Sequence, residues 1–321
     1  MKSSSALVRV SSVAGVAVVV LSGCSAGTSG ESAEPTRTVA TSLGTVQVPL
    51  EVDSVVVVEG RRDLDVVLAL ELPLVGFPVD SDSASFDLEA PLGDALDEAR
   101  AEGARELFNR NEVDLEAIAA ADPDLIVGRD EDVERVYDQL SAIAPVIPLS
   151  SVASGGAWQD DLRLVAEATG RDDRAAELVA AYDARVQELS RLYTQQIAET
   201  VVLPLDWAPE GSGVVTSRLQ TEVLTDLGAV FGSAVTAARD AGGTAEYGPE
   251  ELVTAAGDAD ALLLIVDTPE EMTSLAADPL WPLLPAAGTD RVVRTDKFTH
   301  EGGPLTAMAV LDLAEQLYAA G

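Results

Sequence analysis

The chemistry open to this chain is bounded by residue types it has few of. Its 321 residues include one cysteine, Cys24, and one histidine, His300. An intrachain disulfide is impossible, and zinc fingers, Cys–His nucleophile pairs and multi-histidine metal sites are excluded by counting. Lysine occurs only at Lys2 and Lys297; neither follows a glycine, so no P-loop exists. No Gly-x-Ser-x-Gly elbow occurs. His300-Glu301-Gly302 is not a metalloprotease helix. Asp80, Asp82, Asp87 and Glu89 crowd together without EF-hand spacing and read as a solvated loop. No catalytic set and no metal-ligand set emerges, so neither enzymatic activity nor a cofactor is expected.

What remains is arginine next to strand ends. Arg61 and Arg62 follow the run Val55–Val58, Arg129 follows Leu125–Val127, and Arg218 stands just before a helix. A guanidinium donates paired, charge-assisted hydrogen bonds to anionic oxygens. Trp207 follows Val201–Leu203, Tyr247 precedes Glu250–Leu252, and His300 follows the last strand. Ligands of open α/β sheets sit beyond the carboxyl ends of strands. These seven residues are therefore the candidate ligand contacts. Trp158 and Trp281 read as packing residues.

The elements that must position them alternate. Val55–Val58, Val75–Phe77, Leu125–Val127 and Ala144–Ile147 read as strands. Helical patterns fall between them, one opened by Asp114 as N-cap and stopped at Asp122-Pro123-Asp124, another carrying Val133, Val136, Tyr137 and Leu140 on one face. Trp158–Thr169 is a helix closed by Gly170. Residues 171–194 keep a 3.6-residue rhythm through Leu178, Tyr182, Val186 and Leu189, predicting a helix about 36 Å long. The pattern then restarts with strands at Val201–Leu203, Leu262–Val266 and Arg291–Val293, helices at Leu219–Leu227 and around Leu252, and a final helix opened by Pro304. Strands alternating with helices predict parallel α/β sheets, arranged as two Rossmann-like lobes with one long helix able to cross between them.

Composition excludes some partners. Twenty basic residues face 55 acidic ones, for a net charge of −35. Nucleic acid would be repelled. The hydrophobic fraction of 47% nevertheless marks a folded chain rather than a disordered one. Lys2 and Arg9 precede an apolar run of about 12 residues ending in Leu21-Ser22-Gly23-Cys24. This describes a secretory signal peptide, too short for a permanent span. Leu-Ser-Gly-Cys resembles a bacterial lipobox, which implies cleavage after Gly23 and lipidation of Cys24. Residues 1–23 are then the signal peptide, and 24–44 the lipidated cysteine with a Ser/Gly/Thr/Glu/Pro tether. Residues 45–156 form the first lobe, 157–198 the linking helical segment and 199–321 the second lobe.

The order of several motifs carries a resemblance. Leu115-Glu116-Ala117-Ile118, running on to Asp122-Pro123-Asp124-Leu125-Ile126, is similar to the N-L-E-x-I-x-x-L-x-P-D-L-I core of substrate-binding proteins of iron–siderophore and cobalamin ABC importers. Tyr137 to Val146 is similar to that family's Y-x-x-L-x-x-I-A-P-V. Glu222 to Ala229, Glu250-Glu251-Leu252 and Trp281 to Val293 resemble its later motifs. The likeness runs from about residue 44 to the C-terminus, while 80–112 match poorly. It implies a single long helix joining the lobes with a ligand cleft between them, in a monomeric, lipid-anchored protein on the outer face of the cytoplasmic membrane. Such a protein captures an Fe(III)-siderophore and delivers it to the permease of an ABC importer. It also implies that one carboxylate per lobe, Glu116 and Glu251, docks on the permease. Cobalamin or heme as cargo, a tethered α/β hydrolase and a structural envelope lipoprotein are the rival readings.

Overall fold

The computed structural model describes residues 35–80, 88, 90–151, 157–209 and 211–320. The signal peptide and Cys24 lie outside the described residues, as do Asp82, Asp87 and Glu89.

The chain enters through a hairpin, β1 (Thr36–Thr41) and β2 (Gly44–Pro49), paired antiparallel. The first lobe follows: β3 (Val55–Val57), α1 (Arg62–Ala69), β4 (Leu74–Val79), α2 (Gly93–Glu102), β5 (Arg105–Asn109), α3 (Leu115–Ala120), β6 (Leu125–Arg129), α4 (Asp130–Val133), α5 (Tyr137–Ser141) and β7 (Val146–Leu149). Its strands lie in the order β5-β4-β3-β6-β7, all parallel. The order reverses between β3 and β6, which places a crevice at their carboxyl ends. Three helices lead onward: α6 (Trp158–Thr169), α7 (Asp172–Leu192) and α8 (Thr194–Glu199).

The second lobe contains β8 (Val201–Ala208), β9 (Gly211–Val215), α9 (Leu219–Asp226), β10 (Val230–Phe231), α10 (Ser233–Asp240), β11 (Thr244–Tyr247), α11 (Pro249–Ala255), β12 (Ala261–Ile265), α12 (Pro269–Ala277), β13 (Val292–Thr295) and α13 (Pro304–Ala319). Its sheet runs β11-β9-β8-β12-β13, with β10 beside the start of β8. β8, β12 and β13 are parallel; β9 turns back antiparallel. One apolar cluster runs through both lobes, from Val57 and Val66 through Trp158 and Tyr182 to Leu263 and Leu311, all buried. Trp158 meets Tyr182 edge to face at 5.2 Å, the packing role expected of it.

Local chemistry explains the boundaries the sequence predicts. The Asp114 carboxylate accepts from the backbone N–H groups of Glu116 and Ala117, each at 3.0 Å. Gly170 closes α6 in the left-handed region, φ +71°.

Three readings need correction, and one stretch gains elements that the sequence reading did not assign. The tether was expected to reach residue 44, but β1 begins at Thr36; its alternation shows one deeply buried residue, Val39, which only becomes a signal beside Val46 and Val48 of β2. The acidic 80–112 stretch holds α2 and β5, whose buried anchors are Ala99 and Phe108. The helix expected through 194 ends at Leu192, and Tyr193 (φ −111°, ψ 27°) breaks it from α8. The Val133–Leu140 face is divided between α4, a 3-10 turn and α5.

A charged knot lies inside the packed helices. Arg62, 1% exposed, donates to Asp161 Oδ2 at 3.1 Å and to Ser150 Oγ at 2.8 Å. Tyr182 donates to Asp226 at 2.7 Å. Burial, joined by Asp226 and Asp161, pushes Glu222 from 4.5 up to about 7 against the pull of Arg62. Between those two values the folded protein holds a proton that the unfolded chain has released. Ionising Glu222 therefore costs folded stability as pH rises from about 4.5 to 7. Glu222→Gln is expected to raise stability at pH 7.5 by roughly 1–2 kcal/mol, reduced from the full shift by its partial exposure, and to leave stability at pH 4.5 unchanged. Thermal unfolding across that range checks this; a parallel offset at all pH values would assign the effect to packing instead.

Candidate functional site

The carboxyl end of β3 builds the centre of the site. Beyond Val57 the chain turns through Glu59 and Gly60 into α1. Gly60 has φ +87°, and a Cβ there would lie 2.9 Å from Pro78, so glycine is required. Asp63 ties the turn down, accepting from the backbone N–H groups of Val58, Glu59 and Gly60 at 2.7–2.9 Å. The turn holds Glu59, 3% exposed, under a group of arginines. Arg110 donates to Glu59 Oε1 at 2.6 Å, and Arg61 and Arg129 each approach that oxygen to 4.0 Å. Burial and the nearby Asp63 charge push the Glu59 carboxyl up to about 7, against the pull of Arg110 and Arg129.

Asp80, at the end of β4, organises the rim. Its Oδ2 lies 3.1 Å from Arg110, 3.3 Å from Arg61 and 3.6 Å from Lys297. Lys297 follows β13, so this contact joins the lobes. A pair of opposite polarity does the same: Arg129 of β6 donates to Glu301 at 3.2 Å while its Nε donates to Asp132 at 2.8 Å. On the second lobe, Arg218 bridges Asp206 at the end of β8 and Nδ1 of His300. A guanidinium has no acceptor, so Nδ1 accepts and His300 carries its proton on Nε2, 3.3 Å from Asp206 Oδ1. Burial lowers the His300 pKa, and the Arg218 and Arg61 charges add to this against the pull of Asp206. The ring is therefore neutral at pH 7.

Five cations from both lobes thus converge on one cluster, each held by carboxylates. Guanidinium and ammonium groups so placed have the chemistry to bond the oxygens of an anion through charge-assisted hydrogen bonds. Beside it, between β4, α2 and Phe298, opens a cavity of about 240 Å³ lined by Glu59, Arg61, Asp80 and Arg110 on its polar side.

A family model described as periplasmic binding protein matches residues 18–298. The chain belongs to the periplasmic binding protein family. This periplasmic binding protein is 33% identical over 218 residues to the probable siderophore-binding lipoprotein YfiY of Bacillus subtilis, an alignment covering 66% of this chain and 64% of that protein. It is 30% identical over 226 residues to the ferric enterobactin-binding periplasmic protein FepB of Escherichia coli, covering 64% and 67%. Among solved structures, FeuA of Bacillus subtilis, complexed with ferri-bacillibactin, matches with a TM-score of 0.71 at 18% identity over 88% of this chain and 98% of that one. SirA of Staphylococcus aureus, complexed with staphyloferrin B, matches with 0.70 at 20% identity over the same shares. The two-lobed fold is shared.

The expected contacts of this periplasmic binding protein divide. Arg61, Arg129, Arg218 and His300 meet in the cluster. Arg62 does not: α1 starts there, its side chain turns inward, and the guanidinium is committed to Asp161. Trp207 and Tyr247 also fall elsewhere. Successive residues of a strand face opposite ways, so Trp207 leaves the Asp206 face and packs with Trp281 and Leu252. Tyr247 packs on the same apolar cluster and donates to the Ala234 carbonyl at 3.3 Å. Sequence reasoning missed Arg110, Lys297 and Glu59, and it read Asp80 as part of a solvated loop, whereas its carboxylate is mostly buried against Arg61, Arg110 and Lys297. The rule that located Arg61 and Arg129, a charged residue just past a strand, would also have found Arg110 and Lys297 had β5 been recognised and β13 followed two residues further, to Thr295.

Proposed function

We propose that this protein captures a ferric siderophore outside the cytoplasm and delivers it to the permease of an ABC importer. The observation that carries this reading is the convergence of Arg61, Arg110, Arg129, Arg218 and Lys297 from both lobes at the carboxyl ends of their sheets. Ferric siderophores are commonly anionic, and two relatives carry siderophore or ferric enterobactin binding in their names. The iron chelate is cargo, and no resident cofactor is assigned. Cys24, as the lipidated residue after cleavage, anchors a monomer on the outer face of the cytoplasmic membrane.

Docking on the permease is assigned to Glu116 and Glu251. Both are exposed at helix starts, α3 and α11. Glu251 also accepts from the Gly248 backbone N–H at 3.1 Å, so its carboxylate has a capping role as well. Titration with a panel of ferric siderophores, read by tryptophan fluorescence, is expected to give saturable quenching for at least one. The Glu116→Ala/Glu251→Ala double variant is expected to bind that chelate as the wild type does, while cells carrying it lose iron-55 uptake. Absence of binding across the panel would sink the capture role; normal uptake by the double variant would move the docking surface elsewhere.

A further inference from the structure

The cavity beside the arginine cluster is amphiphilic, and its two sides ask for different parts of one ligand. Leu64 and Phe77, 4% and 2% exposed, form its apolar floor. Leu92 and Leu96, leading into and along α2, form one wall, and Phe298 from the second lobe faces them. The Arg100 guanidinium lies 5.3 Å from the Phe77 ring centroid, covering its outer face. Arg61 and Arg110 stand on the polar side, against Asp80 and the buried Glu59.

Size decides what enters. Pockets that bury a whole drug-sized ligand hold roughly 300–1,000 Å³; about 240 Å³ is too little for a complete iron chelate. It suits one arm. An arm entering here leaves water for an apolar floor, while its oxygen donors stay at the arginines of the rim. A purely polar chelate would gain nothing from the floor.

We propose that the cavity is a specificity subsite for a single apolar arm of the chelate, the size of one aromatic ring or a short acyl chain, attached next to its iron-binding oxygens. This rests on the siderophore-capture reading and adds the class of chelate to it. The probes are the iron(III) complexes of acetohydroxamate, benzohydroxamate and hexanohydroxamate, which share the iron-binding group and differ in the arm. Calorimetric titration of the wild-type protein is expected to show at least one of the two long-arm complexes bound tenfold or more tighter than the acetohydroxamate complex. Which one does so separates a ring from a chain. Ala90, just before α2, also lines the cavity, so Leu96→Trp and Ala90→Phe fill it from different segments. Each is expected to abolish that preference while leaving acetohydroxamate affinity within twofold, and either alone decides the matter if the other fails to fold. Equal binding of all three complexes by the wild type, or a preference that survives in the folded variants, overturns the subsite and leaves the capture reading standing. Binding of none overturns the subsite, while the capture reading stands or falls separately on the panel of ferric siderophores.

Discussion

Replacing Asp65 with alanine is expected to destabilise the protein by about 3–5 kcal/mol, a large loss for one substitution. Asp65 lies on α1 and is fully buried. Its carboxylate accepts from the backbone N–H groups of Gly303, Leu305 and Thr306 at 2.8, 3.1 and 2.9 Å, and from the Thr306 hydroxyl at 2.6 Å. Together these form the N-terminal cap of α13, whose own N-cap residue is Gly303 and offers no side chain. The glycine is there for space: a Cβ would lie 3.0 Å from Asp65 Oδ1. Hydrogen bonds to a charged group contribute about 1.5–3 kcal/mol each and do not add in full. The helix dipole adds to them. α13 packs its buried Val310, Leu311 and Leu317 into the common core, so loosening its first turn is felt by both lobes. Asp65→Asn, which keeps one acceptor oxygen, is expected to lose about half as much. Urea unfolding measures both. An alanine variant within about 1 kcal/mol of the wild type would mean that α13 does not depend on this cap.

The second large effect concerns ligand affinity. Arg61→Ala/Arg110→Ala is expected to weaken binding of the cognate ferric chelate at least about a hundredfold, about 2.7 kcal/mol. Two charge-assisted contacts could contribute roughly 3–6 kcal/mol. The lower figure is expected because both arginines already bond carboxylates, Asp80 and Glu59, and those bonds must be exchanged for the ligand's. The folded state should tolerate the change, since Glu59, already titrating near 7, takes up a proton when its Arg110 partner is removed. Arg62→Ala gives the contrasting result. It strands Asp161 in the interior and costs stability, as breaking a buried pair does, without removing a ligand contact. Equilibrium binding with circular dichroism separates the two. Unchanged affinity in the folded double variant would place the chelate away from this cluster.

Much of the architecture is legible locally. The runs Val55–Val58, Leu125–Val127 and Leu262–Val266 are β-branched or aliphatic without interruption because parallel strands are covered on both faces. Asp114 and Gly170 mark helix ends because their effects reach only a few residues along the chain. Arg61 and Arg129 were found because charged residues just past buried strands stand at the edge of a sheet. Segments whose apolar pattern is thin were not legible. β1 and β5 each bury only one side chain fully, so what burial they have depends on partners elsewhere.

The sequence by itself determined the alternation of strands and helices, the restart that gives a second lobe, and the charged residues at strand ends. It also determined the acidic surface and the lone cysteine. Tertiary structure decided which of two adjacent arginines joins the charged cluster between the lobes. Neighbouring residues at a helix start point in different directions, and Arg62 meets Asp161 while Arg61 meets Asp80. It also recruited Arg110 and Lys297 to one carboxylate and set Asp65 over a helix that begins 239 residues later. Caps and periodicity are written within a turn or two of chain. Charge partners and cross-lobe bonds are chosen by where the sheets bring distant residues together, and that follows from packing the whole core at once.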